Sequence, residues 1–373
     1  MERVEALVDV AAIGANVRTL RGRLAPGAAF AGVVKADGYG HGALTAARAA
    51  QAAGADWLAV VSAREARTLR DAGIAGPLLV MGALTPDELD LALGAAADVV
   101  AWTPEFLEAA ARPRPDAPPA RVHVKLDTGM GRLGTRDPDL ATALVRRAVA
   151  DDRVHAVGLM THFATADEEG DRFMDEQLAR YRAWAEPLKA VHPGLVRHVA
   201  NSAATLRDPA THLDLVRCGI AIYGMDPANR DPERHGLVPA LALRSVVAAV
   251  KPCARGESAG YGRRFVAERD TVLATVPIGY GDGWRRGLTN QAEVLIGGRR
   301  FAQVGTVSMD NVTVDLGPDG GGVTVGDPVT LLGADGGERI LAETVAAALG
   351  TINYEVTCGL LPRATRRTVG AAT

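Results

Sequence analysis

A lysine that follows an apolar run is the first residue of this sequence whose position suggests chemistry. Lys35 closes the predicted strand 30–35 and precedes a glycine-rich turn in which Tyr39 supplies a hydroxyl group. Partial desolvation at a strand end lowers the pKa of a lysine and makes its neutral amine available. Such an amine can form a Schiff base with an aldehyde. For an isolated lysine, the simpler interpretation is a side chain that lies along the strand with its ammonium group in water.

An arginine and a histidine follow two further predicted strands. Arg132 lies in a glycine-spaced loop after the predicted strand 121–126, and His162 follows the predicted strand 156–161. A planar guanidinium group is suited to hold a carboxylate or a phenolic oxygen. A solvent-exposed arginine and a structural histidine are the alternatives for these two positions.

Two later segments favour a phosphate site. Asn201 and Ser202 follow the predicted strand 197–200, and Arg217, Gly219 and Ile220 lie at the end of the predicted strand 215–218. In a (β/α)₈ barrel, the loops after the seventh and eighth strands commonly bind phosphate. The Asn-Ser pair can donate hydrogen bonds to phosphate or cap a helix, and the backbone N–H groups of Gly219 and Ile220 can donate as well.

These residues follow apolar runs that alternate with helical patterns over the first two thirds of the chain. Eight runs are predicted as strands: 30–35, 57–61, 78–81, 99–102, 121–126, 156–161, 197–200 and 215–218. Strands that alternate with helices indicate parallel βαβ units. The count of eight favours an α/β fold of the (β/α)₈ TIM-type barrel class over an open doubly wound sheet.

The pattern changes to strands after residue 224. A polar stretch with two prolines, 226–236, is typical of a linker. The predicted strands that follow are 243–250, 272–278, 292–296, 301–307, 312–316 and 328–332, with one predicted helix at 340–349. We therefore expect two domains, a barrel in residues 1–230 and a mostly-β C-terminal domain in residues 231–373.

Composition excludes several classes of partner. The 373 residues carry a formal net charge of −3 without a basic block, so a nucleic acid is not expected as a partner. The three cysteines form no close pair, so neither a disulfide framework nor a metal site is expected, and a cytoplasmic location fits best. No apolar run is long enough to suggest a membrane span or a signal peptide.

Taken together, the segments 31–42, 122–134 and 259–262 resemble those of alanine racemases, the barrel-fold family of pyridoxal-phosphate enzymes. The resemblance extends over nearly the whole chain. It implies that Lys35 holds pyridoxal 5′-phosphate covalently and that Tyr39 contacts the phosphate group. It also implies that Arg132 binds the cofactor's phenolic oxygen or the substrate carboxylate.

The family resemblance extends to the other barrel positions. Lys125 corresponds to a lysine that relatives can carry as a carbamate, which positions the arginine. His162 is expected beside the cofactor ring, and Arg217 beside the pyridine nitrogen. Because arginine keeps its proton, the cofactor becomes a weaker electron sink. Reprotonation at Cα is then favoured over transamination, and decarboxylation is disfavoured.

The second domain contributes further residues by resemblance. Tyr261 is the expected second acid/base, acting in the partner subunit's site of a homodimer, although a glycine-rich turn with an aromatic residue is the simpler interpretation. Lys35 and Tyr261 would serve opposite faces of the cofactor, as racemisation requires. Hydrogen bonds from Tyr261 through His162 to the arginine would stabilise the phenolate. The backbone of Met309 would contact substrate carboxylate, and Tyr354 would contact the phosphate.

The sequence departs from the family pattern in the corridor that leads to the site. Relatives often carry an arginine two residues after the glycine that corresponds to Gly305, whereas the residues that follow Gly305 here are Thr306, Val307 and Ser308. The departure concerns substrate access rather than chemistry. By resemblance, three further residues line this corridor: Asp167, Arg286 and Ile352.

The sequence thus predicts interconversion of L-alanine and D-alanine, which would supply peptidoglycan synthesis. One alternative keeps the scaffold and changes the substrate to another amino acid or to several. Another is a protein that binds pyridoxal phosphate without turnover, although such a protein would need only the barrel.

Overall fold

A computed structural model describes residues 2–112 and 118–370. The chain divides into two compact units. The barrel unit comprises Gly14–Gly38 and Ala43–Ile222, and the strand-rich unit comprises the N-terminal segment up to Ile13, Tyr39–Gly42 and the chain from Tyr223 onward.

The barrel unit is built on eight parallel strands in the order β8-β7-β6-β5-β4-β3-β2-β9. Their bounds are β2 (Ala29–Val33), β3 (Trp57–Val60), β4 (Leu78–Val80), β5 (Asp98–Ala101), β6 (Ala120–Lys125), β7 (Val154–Met160), β8 (Val196–His198) and β9 (Leu215–Cys218). The first and last strands of this order meet through backbone bonds. Asp214 N donates to Arg197 O at 3.1 Å, and Arg217 N donates to Ala200 O at 2.9 Å. The predicted (β/α)₈ barrel is therefore confirmed.

Helices connect the barrel strands. They are α1 (Val10–Arg21), α3 (Ala43–Ala52), α4 (Ala63–Asp71), α5 (Pro86–Gly94), α6 (Pro104–Ala110), α7 (Pro138–Ala150), α8 (Phe173–Val191) and α9 (Ser202–Arg207). Side-chain caps explain where several begin. Ser62 and Thr85 each form a capping box with the glutamate three residues later, and Asp137 caps α7.

The barrel strands bury apolar side chains and one group of polar side chains. Phe30, Leu58, Leu79, Val99 and Leu159 are among the buried apolar residues. The buried polar residues lie on β5, β6, β8 and β9, and these are Asp98, His123, Lys125, His198 and Arg217. Buried polar groups need hydrogen-bond partners, so these five residues must be arranged around one another.

The strand-rich unit holds a sheet in the order β11-β14-β17-β16-β15-β18-β10-β1-β20, with β19 paired to β18. The bounds are β1 (Val4–Asp9), β10 (Leu241–Val246), β11 (Ala249–Cys253), β14 (Thr271–Val276), β15 (Glu293–Ile296), β16 (Arg299–Val304), β17 (Val312–Asp315), β18 (Pro328–Asp335), β19 (Glu338–Ile340) and β20 (Thr365–Val369). A separate pair, β12 (Ser258–Ala259) and β13 (Phe265–Val266), flanks a turn. The predicted mostly-β C-terminal part is confirmed.

The core of this unit contains Trp284, whose indole N–H donates to Gln303 Oε1 at 2.6 Å. Two helices, α10 (Ala342–Leu349) and α11 (Asn353–Cys358), accompany the sheet. None of the helices in the described part of the chain is both long enough and apolar enough to cross a membrane.

Candidate active site

Lys35 leads out of β2 into an unusual turn, α2 (Lys35–Tyr39). Ala36, Asp37 and Gly38 have φ values of 52°, 52° and 60°, which is left-handed backbone. Gly38 N donates to Val34 O at 3.0 Å, which closes the turn. The strand therefore ends two residues earlier than predicted, and Lys35 lies at the carboxyl end of β2, where barrel enzymes place their chemistry.

Arg217 on β9 makes four side-chain hydrogen bonds at this end of the barrel. Its guanidinium donates to the carbonyl oxygens of Thr161 and Val199, each at 3.0 Å. It also donates to Nδ1 of His198 at 3.0 Å and to Nδ1 of His162 at 3.2 Å. These contacts fix both the position of the guanidinium and the direction in which it can offer further N–H groups.

The hydrogen bonds continue from Arg217 across the barrel interior. His198 Nε2 lies 2.8 Å from His123 Nδ1, and His123 Nε2 lies 3.2 Å from Asp98 Oδ2. A guanidinium group only donates, so Nδ1 of His198 must accept and Nε2 must carry the hydrogen. The same logic puts the hydrogen of His123 on Nε2, facing Asp98. We call the series Arg217, His198, His123 and Asp98 the interior chain.

Burial influences the charge states of the residues in the interior chain. Burial, together with the charges of His123 and Arg217, holds the pKa of His198 well below its usual value. Burial lowers the pKa of Arg217 to about 10, which leaves the guanidinium protonated at neutral pH. Burial acts to raise the pKa of Asp98, but hydrogen bonds and charge from His123 and Arg121 outweigh it, so the pKa lies below its usual value. The interior chain thus joins the guanidinium of Arg217 to the carboxylate of Asp98 through the imidazoles of His198 and His123.

His162 lies beside the Arg217 guanidinium. Burial lowers its pKa far below the usual value, and the charges of Arg217, Lys125, Arg132 and Lys35 lower it further, in that order. Of these cations, Arg217 is in direct hydrogen-bond contact with the imidazole. With Nδ1 accepting from Arg217, the Nε2–H group of the neutral ring is left to donate to another group.

Lys125 ends β6 on the same face as His123, two residues earlier. Burial first, and then the charges of Arg217 and Arg132, lower its pKa to about 8. The loop that carries Arg132 is folded by Asp127, whose carboxylate accepts from the backbone N–H groups of Gly129 and Gly131 at 3.0 and 3.1 Å. This loop leaves Arg132 exposed at its tip.

The predicted phosphate segments also meet. Asn201 Oδ1 caps α9 by accepting from Ala204 N at 2.9 Å. Ser202 Oγ is buried and accepts from Gly219 N at 3.0 Å and from Ala221 N at 3.4 Å. Two acceptor bonds use both lone pairs of the hydroxyl, so its hydrogen is left to donate. Ile220 is buried directly beside this contact.

Within the strand-rich unit, the two tyrosines predicted to contact phosphate lie near each other. The ring centroids of Tyr39 and Tyr354 are 6.0 Å apart, and those of Tyr39 and Tyr223 are 5.1 Å apart. Tyr354 belongs to α11, whose first residue, Asn353, is fully buried and donates to Glu343 Oε1 at 2.8 Å.

Tyr261 and Met309 are exposed in the strand-rich unit. The side chain of Tyr261 is 74% exposed and that of Met309 is 52% exposed, unusual values for large apolar side chains. Thr306 donates its hydroxyl hydrogen to the carbonyl oxygen of Tyr261 at 2.6 Å. The three residues expected from the sequence to line the entry corridor, Asp167, Arg286 and Ile352, are exposed as well.

Sequence reasoning missed three members of the interior chain, Asp98, His123 and His198. A signal was present, because each is a polar residue within a predicted strand or directly beside one. Recognising the chain required the strand register that brings the three side chains together, and that register cannot be read from one strand at a time.

Comparison with known proteins places both parts of the chain in one family. The family model described as alanine racemase, N-terminal domain, matches residues 8–227, and the model described as alanine racemase, C-terminal domain, matches residues 240–368. An alanine racemase of Symbiobacterium thermophilum is 43% identical over 362 residues, which cover 96% of this chain and 95% of that protein.

Solved structures show the same likeness. The alanine racemase from D-cycloserine-producing Streptomyces lavendulae aligns with a TM-score of 0.91 at 39% identity, covering 100% of this chain and 98% of that one. The alanine racemase of Bacillus anthracis with bound L-Ala-P aligns with a TM-score of 0.89 at 34% identity, covering 100% of this chain and 96% of that one. The chain therefore belongs to the alanine racemase family.

Proposed function

We propose that this protein interconverts L-alanine and D-alanine with the help of pyridoxal 5′-phosphate. The single observation that carries the proposal is the position of the Arg217 guanidinium at the carboxyl ends of the barrel strands, where four hydrogen bonds hold it and one of them goes to Nδ1 of His162 at 3.2 Å. Full-length likeness to alanine racemases supports the same activity.

The residues present fit the cofactor by their donor chemistry. Lys35 offers an amine for the aldehyde. The hydroxyl groups of Ser202, Tyr39 and Tyr354 are donors suited to phosphate. Arg217 offers a guanidinium that stays protonated at neutral pH and is suited to the ring nitrogen.

When bound, pyridoxal phosphate supplies the aldehyde and a conjugated ring that withdraws electrons from Cα of the amino acid. Arg217 can donate a hydrogen bond to the ring nitrogen but does not give up its proton, which limits that withdrawal. Lys35 Nζ moves a proton at Cα on one face, and Tyr261 Oη moves a proton on the other. Arg132 orients the substrate carboxylate or the phenolic oxygen, and the backbone of Met309 contacts the carboxylate.

His162 links the second base to the interior chain. Its Nε2–H group can donate to the phenolate oxygen of Tyr261, which lowers the energy of the charged form. Arg217 keeps the imidazole in the required tautomer by occupying Nδ1. The pKa of His162 is held far below its usual value, so we expect it to orient and stabilise the phenolate without taking up a proton itself.

The proposal is tested with purified wild type and Lys35→Ala. Wild type should bind pyridoxal phosphate with a new long-wavelength absorbance band, convert either pure enantiomer of alanine to a mixture, and exchange the Cα hydrogen in deuterated water. The Lys35→Ala variant should lack all three properties. A band with no exchange on alanine would redirect the assignment to another amino acid, tested with a panel, or to a protein that only binds the cofactor. The absence of a band in wild type would overturn the proposal.

We further propose a homodimer in which Tyr261, from the domain in residues 231–373, completes the partner subunit's site. The exposure of Tyr261 and Met309 supports this arrangement, because it leaves both side chains accessible to a partner surface. Lys35→Ala and Tyr261→Phe homodimers should each be inactive. After subunit exchange at equal amounts, one site of each heterodimer is intact, so about a quarter of wild-type activity should return. No recovery despite proven exchange would assign both residues to one chain.

Such an enzyme, acting in the cytoplasm, would supply D-alanine for peptidoglycan. Expression in a bacterial strain that requires D-alanine should remove the requirement, and the Lys35→Ala variant should not. Growth that still depends on added D-alanine, with the active protein present, would contradict this role.

A further inference from the structure

The left-handed turn after Lys35 needs partners that hold it. The φ values of Ala36 and Asp37 are both 52°, and Tyr39 continues the left-handed run at 53°. Residues with a Cβ atom are sterically strained in this conformation. One stabilising contact comes from Asp37, whose Oδ1 accepts a hydrogen bond from Ala43 N at 2.9 Å. A second stabilising contact comes from a residue outside the turn.

The second contact is made by Glu65, the N3 residue of α4. Its Oε1 accepts from Ala36 N at 2.7 Å. Its Oε2 accepts from the backbone N–H groups of Val61 and Ser62 at 2.9 and 3.0 Å. One carboxylate thus connects Ala36, the residue that follows Lys35, to the backbone at the end of the neighbouring strand β3. Hydrogen bonds to an ionised acceptor are the stronger kind.

Comparison with the next helix of the barrel shows that this contact is not required for capping. In α5, Glu88 forms the same capping box with Thr85, and its Oε2 accepts from Thr85 N at 3.0 Å. The bonds of Glu88 that the structure describes remain within this box. Capping therefore needs one carboxylate oxygen. Glu65 uses its other oxygen for Ala36.

We propose that Glu65 is a positioning residue for Lys35. It holds the backbone of Ala36 in the left-handed form and so fixes the direction in which the Lys35 side chain leaves β2. The proposal rests on the function assigned to Lys35 above. A weaker hold on the turn should disturb attachment of pyridoxal phosphate and proton transfer at Lys35 while leaving the helix α4 intact.

Glu65→Gln is the selective variant. Glutamine at N3 still completes a capping box, but its amide has one acceptor oxygen, so its NH₂ group must face the N–H of Ala36. Glu88→Gln is the matched control, because the box of α5 needs only the oxygen that glutamine retains.

The first measurement is amide hydrogen exchange in the protein without cofactor. The Ala36 amide should exchange about tenfold faster in Glu65→Gln, which corresponds to about 1.4 kcal/mol, and at the wild-type rate in Glu88→Gln. This readout does not depend on the cofactor, so it tests the hold on the turn even if the proposed function is wrong.

The second measurement follows pyridoxal phosphate. Glu65→Gln should weaken its binding about tenfold and lower kcat for alanine more than it raises KM, whereas Glu88→Gln should match wild type in all three constants. Adding Ala36→Gly to Glu65→Gln should recover part of the loss, because glycine adopts the left-handed form without a steric penalty.

Three outcomes would overturn the proposal. One is equal behaviour of Glu65→Gln and Glu88→Gln in exchange and in cofactor binding. Another is wild-type cofactor binding by Glu65→Gln despite fast exchange at Ala36. The third is failure of both Glu65→Gln and its double variant with Ala36→Gly to fold while Glu88→Gln folds, which would assign Glu65 to the stability of α4 instead.

Discussion

Replacing Asp98 by asparagine tests the interior chain most directly. Asp98 is 2% exposed and accepts from His123 Nε2 at 3.2 Å and from Arg121 Nε at 2.7 Å. An asparagine amide has a single acceptor oxygen, so in Asp98→Asn its NH₂ group must face one of these two donors. The imidazoles cannot turn their tautomers to adapt, because Nδ1 of His198 must still accept from Arg217.

The magnitude follows from these contacts. Loss of one charged hydrogen bond and of the anion that balances Arg217 should lower the free energy of unfolding by about 2–4 kcal/mol. Asp56→Asn is the matched control. Asp56 also accepts from an arginine and from a backbone N–H group, but its side chain is 42% exposed. That change should cost less than about 1 kcal/mol.

The pH dependence has a defined sign. The pKa of Asp98 is lower in the folded protein than in the unfolded chain. The ionised carboxylate therefore contributes to the free energy of unfolding above the unfolded pKa of about 4, and this contribution is lost as the pH falls through the folded pKa. Urea unfolding of wild type and Asp98→Asn should therefore differ by a constant amount from pH 7 to pH 5, and the difference should shrink below about pH 4. A difference that persists undiminished in acid, or one no larger than that of Asp56→Asn, would refute the assignment of charge to the chain.

Three further changes give separate tests. Lys125→Met should stabilise the cofactor-free protein at pH 7 by up to about 3 kcal/mol, because burial lowers the lysine pKa to about 8. The gain should fade between pH 8 and 10.5 as the unfolded lysine also loses its proton, and a loss of stability in bicarbonate would instead indicate a carbamate. Gly40→Ala should destabilise the fold severely, since the added Cβ would lie 2.0 Å from a backbone oxygen of α11 at a φ of +84°. Gly27→Ala is the control for this clash, because its added Cβ would have no atom within 4 Å, and a thermal melt should show a much smaller loss of stability. Trp284→Phe should lower the urea midpoint by an amount that corresponds to about 1 kcal/mol, through loss of its indole hydrogen bond, and an unchanged midpoint would contradict that.

Local patterns were enough to predict the barrel strands. Apolar runs bounded by turn residues are a signal within a few residues of chain, and the eight strands appear near their predicted places. The errors fall where tertiary contacts decide. The predicted strand 30–35 ends at Val33 because the chain turns left-handed there, and the predicted strand 243–250 is two strands, β10 and β11, with different partners.

The site was predicted through residues whose type is conspicuous at a strand end, such as Lys35 and Arg217. Their supports were not predicted, because support depends on register and on distance in space. Glu65 reads as an ordinary capping residue in sequence, and His198 as one polar residue among apolar ones. The pairing of β1 with β10 and β20 is similarly invisible, since the partners lie more than two hundred residues away.

The junction between β8 and β9 has a consequence for heat inactivation. It is joined by few backbone bonds, and the same two strands carry His198 and Arg217. The contact of Ser202 Oγ with Gly219 N bridges this junction just beyond the strand ends. A phosphate group bound by both sides would act as a clasp there. When the protein is heated without cofactor, the junction between β8 and β9 should therefore separate first. The capacity for activity should then be lost at a lower temperature than the helical structure. Saturation with cofactor should bring these two temperatures together.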